Sequence, residues 1–286
     1  MSHTLVLSWV TFIYFGSFVM YLFRGILGRE FWGKVASLAA WTGFAAQTAA
    51  ILWRWKASYD LGIGHVPLAN LYESMIFFAW MIMLLHLVIE WKSANRGLGV
   101  FVVPMAFLAM AYASLAPGVN NRIQPLIPAL QSNWLTSHVA TCFMGYAAFA
   151  FAFGCGLIYF LKMMDGMGGG GKAEKSNGFL KLLPPLETLD IMIYQSVAMG
   201  FVFLTIGIMT GSIWAHYAWG SYWSWDPKET WSLITWIIYA IMLHVQNIRD
   251  WRGTRMAVMT VVGFASVLFT YLGVNYLPGL HSYLNG

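Results

Sequence analysis

Large aromatic side chains crowd one short stretch of the sequence, between residues 214 and 231. The stretch contains five tryptophans and two tyrosines: Trp214, Tyr217, Trp219, Tyr222, Trp223, Trp225 and Trp231. Such residues anchor many membrane proteins at the lipid–water interface. A surface with this many rings can also bind a flat, apolar ligand, and a porphyrin has that shape. The residues leave both interpretations open and favour the ligand platform.

Helix-start signals account for the acidic residues of the same stretch. Asp226 suits an N-cap position, Pro227 the first helical position and Glu229 the third. We therefore expect Asp226 and Glu229 to begin a helix rather than to transfer protons, and we expect a similar capping role for Glu73. The sequence offers no evident catalytic acid or base.

Imidazole is a common axial ligand of haem iron, so the histidines are the candidate metal ligands. The sequence has seven: His3, His65, His86, His138, His216, His244 and His281. Taken singly, a histidine at a membrane surface is more often an interfacial polar residue than a ligand. His216 lies inside the aromatic stretch and is an alternative ligand, although we favour an interfacial role. We expect His3 and His65 to be solvated loop residues.

Two histidines are predicted to lie deep in the membrane. His244 follows Trp231 by thirteen residues, which is roughly 20 Å along a helix. An ionisable side chain at such a depth is a functional candidate. His86 follows Glu73 by the same number of residues and reaches a similar depth. The two could pair within one chain, but for His86 we favour a role in helix packing or hydrogen bonding.

The elements that must position these residues are membrane-spanning helices. Hydrophobic residues make up 59% of the 286 residues and charged residues only 9%, against about 25% charged in soluble domains. A spanning helix needs roughly 20 mostly apolar residues. Eight such stretches are found, at about 5–23, 35–53, 74–90, 98–115, 135–161, 191–213, 231–247 and 256–276. We predict an all-α polytopic membrane bundle that forms a single membrane domain over residues 1–286.

Basic residues orient the predicted bundle, because cytoplasmic segments collect lysine and arginine. With both termini outside, the inner segments carry twelve of the sixteen basic residues. This distribution accounts for the net charge of +5 without any nucleic-acid partner. The N-out, C-out arrangement makes the aromatic stretch an external loop at about 214–231. It also places His138, at the start of the fifth span, and His281, after the last span, at the same height.

Other segments complete the prediction. Residues 162–189, with the run Gly168 to Gly171, are expected to be a flexible cytoplasmic linker. Cys142 and Cys155 form neither a CxxC nor a CxxCH motif, so a haem would be held without thioether bonds to this chain.

Haem propionates usually meet cations or hydrogen-bond donors, and the predicted outer segments contain few cations. The candidates are Lys228, Arg54, Lys56 and Arg122, with Asn70, Tyr72, Asn120 and Asn121 as polar helpers. Lys228 is the nearest to the aromatic stretch in sequence. Its alternative interpretation is ordinary snorkelling at the interface.

The aromatic run resembles a known signature. Trp219 to Trp231, WGSYWSWDPKETW, is similar to the WWD motif of membrane haem-handling proteins. The continuation Ser232 to His244 narrows the resemblance to the CcsA (ResC) family of cytochrome c biogenesis. His65 to Ser74 and Trp134 to His138 agree with that family, and the similarity covers nearly the whole chain.

The resemblance implies a set of haem-binding residues. In the family, two external histidines that flank the WWD loop bind haem b, and His138 and His281 match their positions. The histidine that matches His244 binds a second haem in transit within the membrane, and the partner protein CcsB supplies its opposite ligand. The residues implied are His138, His281 and His244 as iron ligands, with Trp214, Trp219, Tyr222, Trp223, Trp225, Trp231 and Lys228 around the porphyrin.

The implied function is that of the haem-binding component of a membrane cytochrome c synthase. Such a protein presents haem at the outer face for attachment to the CxxCH motif of apocytochrome c. The implied partners are a CcsB-like membrane protein and apocytochrome c, with thiol-reducing proteins as further candidates. The implied location is a bacterial inner membrane, which we favour, or a plastid thylakoid membrane. The sequence leaves open whether the chain alone is an enzyme, a haem lyase.

Two alternatives remain from other classes of protein. A CcmC-type chaperone, which loads haem onto a carrier protein, shares the WWD loop but normally has about six spans. A dihaem electron-transfer protein would need histidine pairs at both leaflets, and the sequence offers deep histidines at one level only.

Overall fold

The computed structural model describes residues 2–126, 130–165, 178–249 and 251–279. Their helices are α1 (His3–Leu27), α2 (Glu30–Asp60), α3 (Leu71–Ser93), α4 (Gly99–Leu115), α5 (Asn133–Met164), α6 (Gly178–Lys181), α7 (Leu186–Trp219), α8 (Pro227–Arg249) and α9 (Thr254–Tyr271). Single 3-10 turns occupy Arg96–Leu98 and Gly273–Tyr276. In this part of the chain, all helices except α6 are long and apolar enough to cross a membrane. The predicted all-α bundle of eight spans is confirmed, and the chain is an integral membrane protein.

The helices extend beyond the apolar stretches from which they were predicted. α7 continues through the first part of the aromatic stretch because residues 214–219 contain neither glycine nor proline. Gly220 has a φ of 78°, and its N–H donates to the carbonyl of His216 at 2.9 Å, which is a common way to end a helix. The loop between α7 and α8 is therefore only residues 220–226. Trp214 and Trp219 lie on a helix rather than in a loop.

The start of α8 has the predicted capping geometry. The carboxylate of Asp226 accepts the N–H of Lys228 at 2.9 Å, and α8 begins at Pro227. Glu229 reaches back and accepts the N–H of Asp226 at 3.2 Å. These reciprocal bonds satisfy donors that a helix N-terminus leaves without partners.

The chain forms two compact units, and the first contains α1 to α4 and α6. Its interior is crossed by a polar connection between three helices. The hydroxyl of Tyr14 donates to the side chain of Gln47 at 2.5 Å, and the Gln47 amide donates to the carbonyl of Ile76 at 2.9 Å. Inside a membrane such bonds satisfy polar groups that lipid cannot, so they fix α1, α2 and α3 to one another.

The second unit contains residues 133–160 of α5 together with α7, α8 and α9. Aromatic rings hold α5 against its neighbours. Phe149 is stacked on Tyr239 of α8 with an interplanar angle of 6°, and Phe153 is stacked on Phe264 of α9 with ring centroids 4.9 Å apart. The aromatic stretch and His138 both belong to this unit.

Parts of two predictions lie outside the described residues. The centre of the expected linker, residues 166–177, is one of them. Of the rest of the linker, 162–164 end α5, 178–181 form α6 and 186–189 begin α7. His281 is the other, since the description of the last segment ends at Gly279.

Candidate functional site

His138 occupies the second turn of α5, and its imidazole faces α7. The ring nitrogen Nδ1 lies 2.7 Å from the backbone carbonyl oxygen of Gly207. A carbonyl oxygen only accepts hydrogen bonds, so Nδ1 carries the proton. In the neutral imidazole, Nε2 then holds the lone pair that a metal ion would bind. The backbone of α7 thus selects the tautomer of His138.

Two glycines of α7 allow this close approach. A Cβ atom built at Gly211 would lie 2.5 Å from Nδ1 of His138, which is far inside any normal contact. A Cβ atom built at Gly207 would lie 2.5 Å from the sulfur of Cys142, one helical turn beyond His138. Because the two glycines are four residues apart, they lie on one face of α7. That face forms the seat of the imidazole.

Two tryptophan rings of α7 lie close to His138. The Trp214 ring lies nearly parallel to the imidazole, at 15° with centroids 6.1 Å apart. Trp219 contacts Trp214 edge-on at 4.8 Å. Trp214 is only 2% exposed, so it packs against the histidine and is not an open surface.

The loop between α7 and α8 presents a different set of rings. Trp225 is 69% exposed and stands perpendicular to Trp223 at 5.7 Å. Its φ of 59° is left-handed, a conformation that costs a bulky residue of order 1–3 kcal/mol. Tyr222 is exposed and stacks on His216 at 4.3 Å. Within the aromatic stretch, Trp214 is thus buried beside His138, whereas Tyr222 and Trp225 are exposed in the loop.

Glu229 holds the exposed rings in place. Its carboxylate accepts the backbone N–H of Ser224 at 2.7 Å and that of Asp226 at 3.2 Å, and these residues flank Trp225. The Thr230 hydroxyl also donates to the Trp225 carbonyl at 3.3 Å. These bonds to α8 keep Trp225 in its left-handed conformation.

Lys228, the predicted propionate contact, lies in the first turn of α8 and points toward the segment after α9. Its ammonium donates to the side-chain oxygen of Asn275 at 3.3 Å. Further along, Gly279 comes so close to α8 that a Cβ atom there would lie 2.4 Å from the Asp226 carboxylate. The last described residues therefore pass over the start of α8, next to the loop.

The other predicted site residues have separate places. Trp231, the fifth residue of α8, packs on Phe269 of α9 with the ring centroids 4.2 Å apart. His244 lies on α8 with its side chain exposed. It shares a stripe with three exposed isoleucines, which are Ile237, Ile241 and Ile248. His281, expected opposite His138, lies outside the described residues.

Arg54 does not match its prediction as an external propionate contact. Its guanidinium is 2% exposed, and its Nε donates to Glu73 at 2.7 Å. Its Nη1 donates to the carbonyl of Asn121 at 2.8 Å. A buried guanidinium needs a partner of opposite charge, and the Glu73 carboxylate of α3 provides one. Arg54 therefore stabilises the first unit.

The expectations for two histidines of the first unit were wrong. His65 is buried, and its ring nitrogens contact the carbonyls of Val66 and Gln124 at 2.8 and 3.0 Å. Backbone groups near a loop need partners when buried, and the imidazole provides one. His3 is the first residue of α1 and packs edge-on against Trp53. Neither is a solvated loop residue.

His86 has the packing and hydrogen-bonding role that we favoured. It is fully buried, and its Nε2 lies 3.4 Å from both the Glu90 carboxylate and the Tyr21 hydroxyl. Tyr21 in turn donates to Glu90 at 2.6 Å. The imidazole is thus part of a polar cluster that joins α1 to α3.

The residues around His138 fit a porphyrin iron better than a bare metal ion. In the described part of the chain, no three His, Cys, Asp or Glu side chains come together to hold an ion. A porphyrin supplies nitrogen ligands of its own and needs only axial ligands from the protein. The unit offers an imidazole of the required tautomer, aromatic rings beside it and a lysine nearby.

The glycine face of α7 is the part of the site that sequence reasoning missed. Gly207 to Gly211 reads GIMTG, which is the GxxxG pattern of close helix packing in membranes. The pattern could have predicted that another helix packs closely against this face of α7. It would not have identified α5 as that helix or His138 as the side chain that contacts the two glycines.

Comparisons with known proteins agree on one family. The family model described as "Cytochrome C assembly protein" matches residues 68–281. The cytochrome c biogenesis protein CcsA of Pyropia yezoensis is 38% identical, over 91% of this chain and 89% of that protein. CcsA of Synechococcus elongatus is 40% identical, over 78% of this chain and 80% of that protein.

A solved structure shares the fold. The chain described as the cytochrome c haem lyase CcmF superposes with a TM-score of 0.70 at 17% identity. The match covers 95% of this chain and 47% of CcmF, so this chain spans about half the length of that protein. At this identity the similarity supports the fold alone.

Proposed function

The chain belongs to the cytochrome c assembly family of membrane proteins, and from this premise we propose that it is the haem-binding component of a cytochrome c synthase. In this role it presents haem b at the outer face of the membrane for covalent attachment to apocytochrome c. The chain's own contribution is to bind and orient the haem, because the sequence offers no evident catalytic acid or base.

The observation that carries the proposal is the bond from His138 Nδ1 to the Gly207 carbonyl. Histidines that bind metals usually donate their second nitrogen to a carbonyl or carboxylate, which fixes the ring and makes the ligating nitrogen more basic. The 2.7 Å contact is of this kind, and the Trp214 ring lies nearly parallel to the imidazole, with the ring centroids 6.1 Å apart. His138 is therefore held in the form in which it would bind iron.

The remaining contacts of the external site follow from the loop. His281 would be a further residue that holds the iron, and the exposed rings of Trp225 and Tyr222 would contact the porphyrin. Lys228 is proposed to meet a propionate, since an ammonium has three donors and Asn275 takes one. When bound, the haem supplies the vinyl groups to which the two CxxCH thiols add.

His244 is proposed as the ligand of a second haem, in transit within the membrane. Its side chain is exposed on α8 between isoleucines, and a polar group on such a face is costly in lipid unless a partner covers it. A CcsB-like membrane protein would supply that cover and the opposite ligand. We propose a bacterial inner membrane or a thylakoid as the location, with both termini outside.

The structural observations favour neither alternative function. A six-span haem chaperone has fewer helices than the eight spans of the described chain. A dihaem electron carrier would need His86 as a ligand, and its Nε2 contacts Glu90 and Tyr21 instead.

The proposal is tested by replacing His138→Ala in the chain produced with its CcsB-like partner. We expect haem per protein, measured by absorption, to fall and cytochrome c maturation to be lost, because the fixed imidazole is missing. The control is Tyr217→Ala, which removes from the same end of the second unit an exposed ring that the proposal does not use and should leave both quantities unchanged. Full haem content and maturation in His138→Ala would overturn the proposal.

A further inference from the structure

We infer that helix α7 is the positioning element of the haem ligand His138, acting through the carbonyl of Gly207 and the missing side chain of Gly211. The inference rests on the proposed role of His138 and goes beyond it, because it assigns a task to residues that touch no haem. It predicts that the properties of the bound iron depend on two backbone positions in a neighbouring helix.

The Gly207 carbonyl controls the electronic character of the imidazole. A hydrogen bond from Nδ1 pushes electron density toward Nε2, which makes that nitrogen a stronger ligand for ferric iron. Loss of such an outer contact lowers metal affinity about 10–100-fold in other proteins. At 2.7 Å the contact is short for an N–H donor. The Thr210 hydroxyl donates to the same oxygen at 3.1 Å, so the acceptor itself is held in place.

Gly211 controls the position of the ring. The space that its side chain would fill is taken by Nδ1 and Cε1 of His138, at 2.5 and 2.6 Å. Any side chain there must push the imidazole away from α7. A ligand that moves by an ångström changes both its distance to the iron and its bond to Gly207. Trp214, 15° from parallel with the imidazole, restricts the directions in which the ring could move.

The chain contains a matched control for Gly211. Gly200 lies on the same helix and also faces α5, where a Cβ atom would lie 2.5 Å from the ring of Phe149. Gly200→Ala and Gly211→Ala therefore introduce the same methyl group at the same distance from an α5 ring. Only Gly211 touches the proposed ligand.

The first experiment compares these two variants, each purified with the CcsB-like partner. We expect both to lower the midpoint of thermal unfolding to a similar degree. Gly211→Ala alone should raise the reduction potential of the external haem, shift its absorption bands and weaken haem binding about 10-fold or more. Equal haem spectra and potentials in the two variants would overturn the inference and leave Gly211 a packing residue.

The second experiment tests the hydrogen bond without changing α7. In His138→Gly, added imidazole can enter the vacated space and donate its N–H to the Gly207 carbonyl, whereas 1-methylimidazole has no N–H to donate. We expect imidazole to restore haem binding at about 10-fold lower concentration than 1-methylimidazole, with 4-methylimidazole, which keeps the N–H, as the control for size. Equal rescue by all three compounds would contradict the role of the carbonyl. Full haem content in His138→Gly without any additive would instead overturn the proposed function.

Discussion

The two acidic residues of the aromatic stretch act through the backbone. Asp226 and Glu229 accept N–H groups at the start of α8, as their spacing predicted. Glu229 also accepts from Ser224, a contact that the spacing did not predict, because it depends on the loop turning back over the helix. The Glu229 carboxylate thus stabilises the loop that carries the exposed rings.

A conservative change at Glu229 separates this role from proton transfer. Glu229→Gln keeps an acceptor oxygen for the loop, so we expect haem content within about twofold of wild type. Glu229→Ala removes the acceptor, costs about 0.3–1.5 kcal/mol of helix stability and should release Trp225, with a clear loss of haem. The measurement is haem per protein by absorption. Loss of maturation in Glu229→Gln at full haem content would point to acid–base chemistry instead.

Trp225 tests whether the exposed rings bind the ligand. Trp225→Asn removes the ring but suits the left-handed backbone, which asparagine tolerates. We expect an unchanged or slightly higher thermal midpoint and a several-fold weaker affinity for added haem, measured by titration. The control is Tyr217→Asn, which removes an exposed ring that the proposal does not use. Equal haem affinities in the two variants would exclude Trp225 as a haem contact.

Residues of the site differ in how far the sequence predicts them. His138 was predicted as a ligand because its position matched a family pattern and the end of an apolar stretch, and its ligand role stays a prediction. Its hydrogen-bond partner, the carbonyl of Gly207, could not be predicted, because every residue has a main-chain carbonyl and the residue type does not show which one is used. Arg54 and His65 were misjudged because polar residues near a predicted interface were assumed to face water, whereas both are buried and have partners in the first unit.

At the scale of helices, hydropathy was sufficient to find the eight spans of the described residues, because a helix in lipid must satisfy its own backbone and present apolar side chains. The ends of α7 and α8 were harder. Tryptophan and histidine are compatible with both helix and loop, so the end of α7 could not be read from them. The apolar pattern stopped at about residue 213, whereas α7 continues to Trp219. Hydropathy did not predict which helices pack against one another, because that packing depends on small residues and on single polar contacts.

The pairing of α2 with α3 can be tested through Arg54. Arg54→Met leaves the buried Glu73 without its cation, which typically costs about 3–5 kcal/mol, so we expect a large fall in the thermal midpoint. Arg54→Met combined with Glu73→Leu should recover most of it. Haem bound by the folded fraction should stay unchanged in both. A specific loss of haem in the stable double variant would restore Arg54 as a propionate contact.

The exposed stripe of α8 offers a test of the transit site. His244→Ala should remove the haem that remains bound within the membrane when the external site is disabled by His138→Ala. Ile241→Ala changes the same stripe about one turn away and should retain that haem. Absorption of the purified complex gives the comparison. Retention of the embedded haem in His244→Ala would show that the site lies elsewhere.

For the molecule as a whole, the comparisons confirm the family that the WWD run indicated. The N-out, C-out orientation stays a prediction. It follows from charge counting alone, because a fold without its bilayer has no inside or outside.

Cysteine labelling can decide the orientation. The native Cys142 and Cys155 are buried and should give little background. Lys56 and Lys92 are both exposed and are predicted on opposite sides. In intact cells, a membrane-impermeant maleimide should label Lys56→Cys but not Lys92→Cys, and permeabilised cells should label both. The reverse pattern would invert the topology and place the aromatic stretch inside.

The glycine face of α7 also restricts how the second unit can move. Helices often slide past one another by one turn, about 5.4 Å, during conformational changes. A slide of α7 in one direction would carry Phe203 to the place of Gly207, against Cys142. A slide in the other direction would carry Ala215 to the place of Gly211, against His138. α5 and α7 are therefore locked in register, and a conformational change of the second unit cannot use a one-turn slide between these two helices.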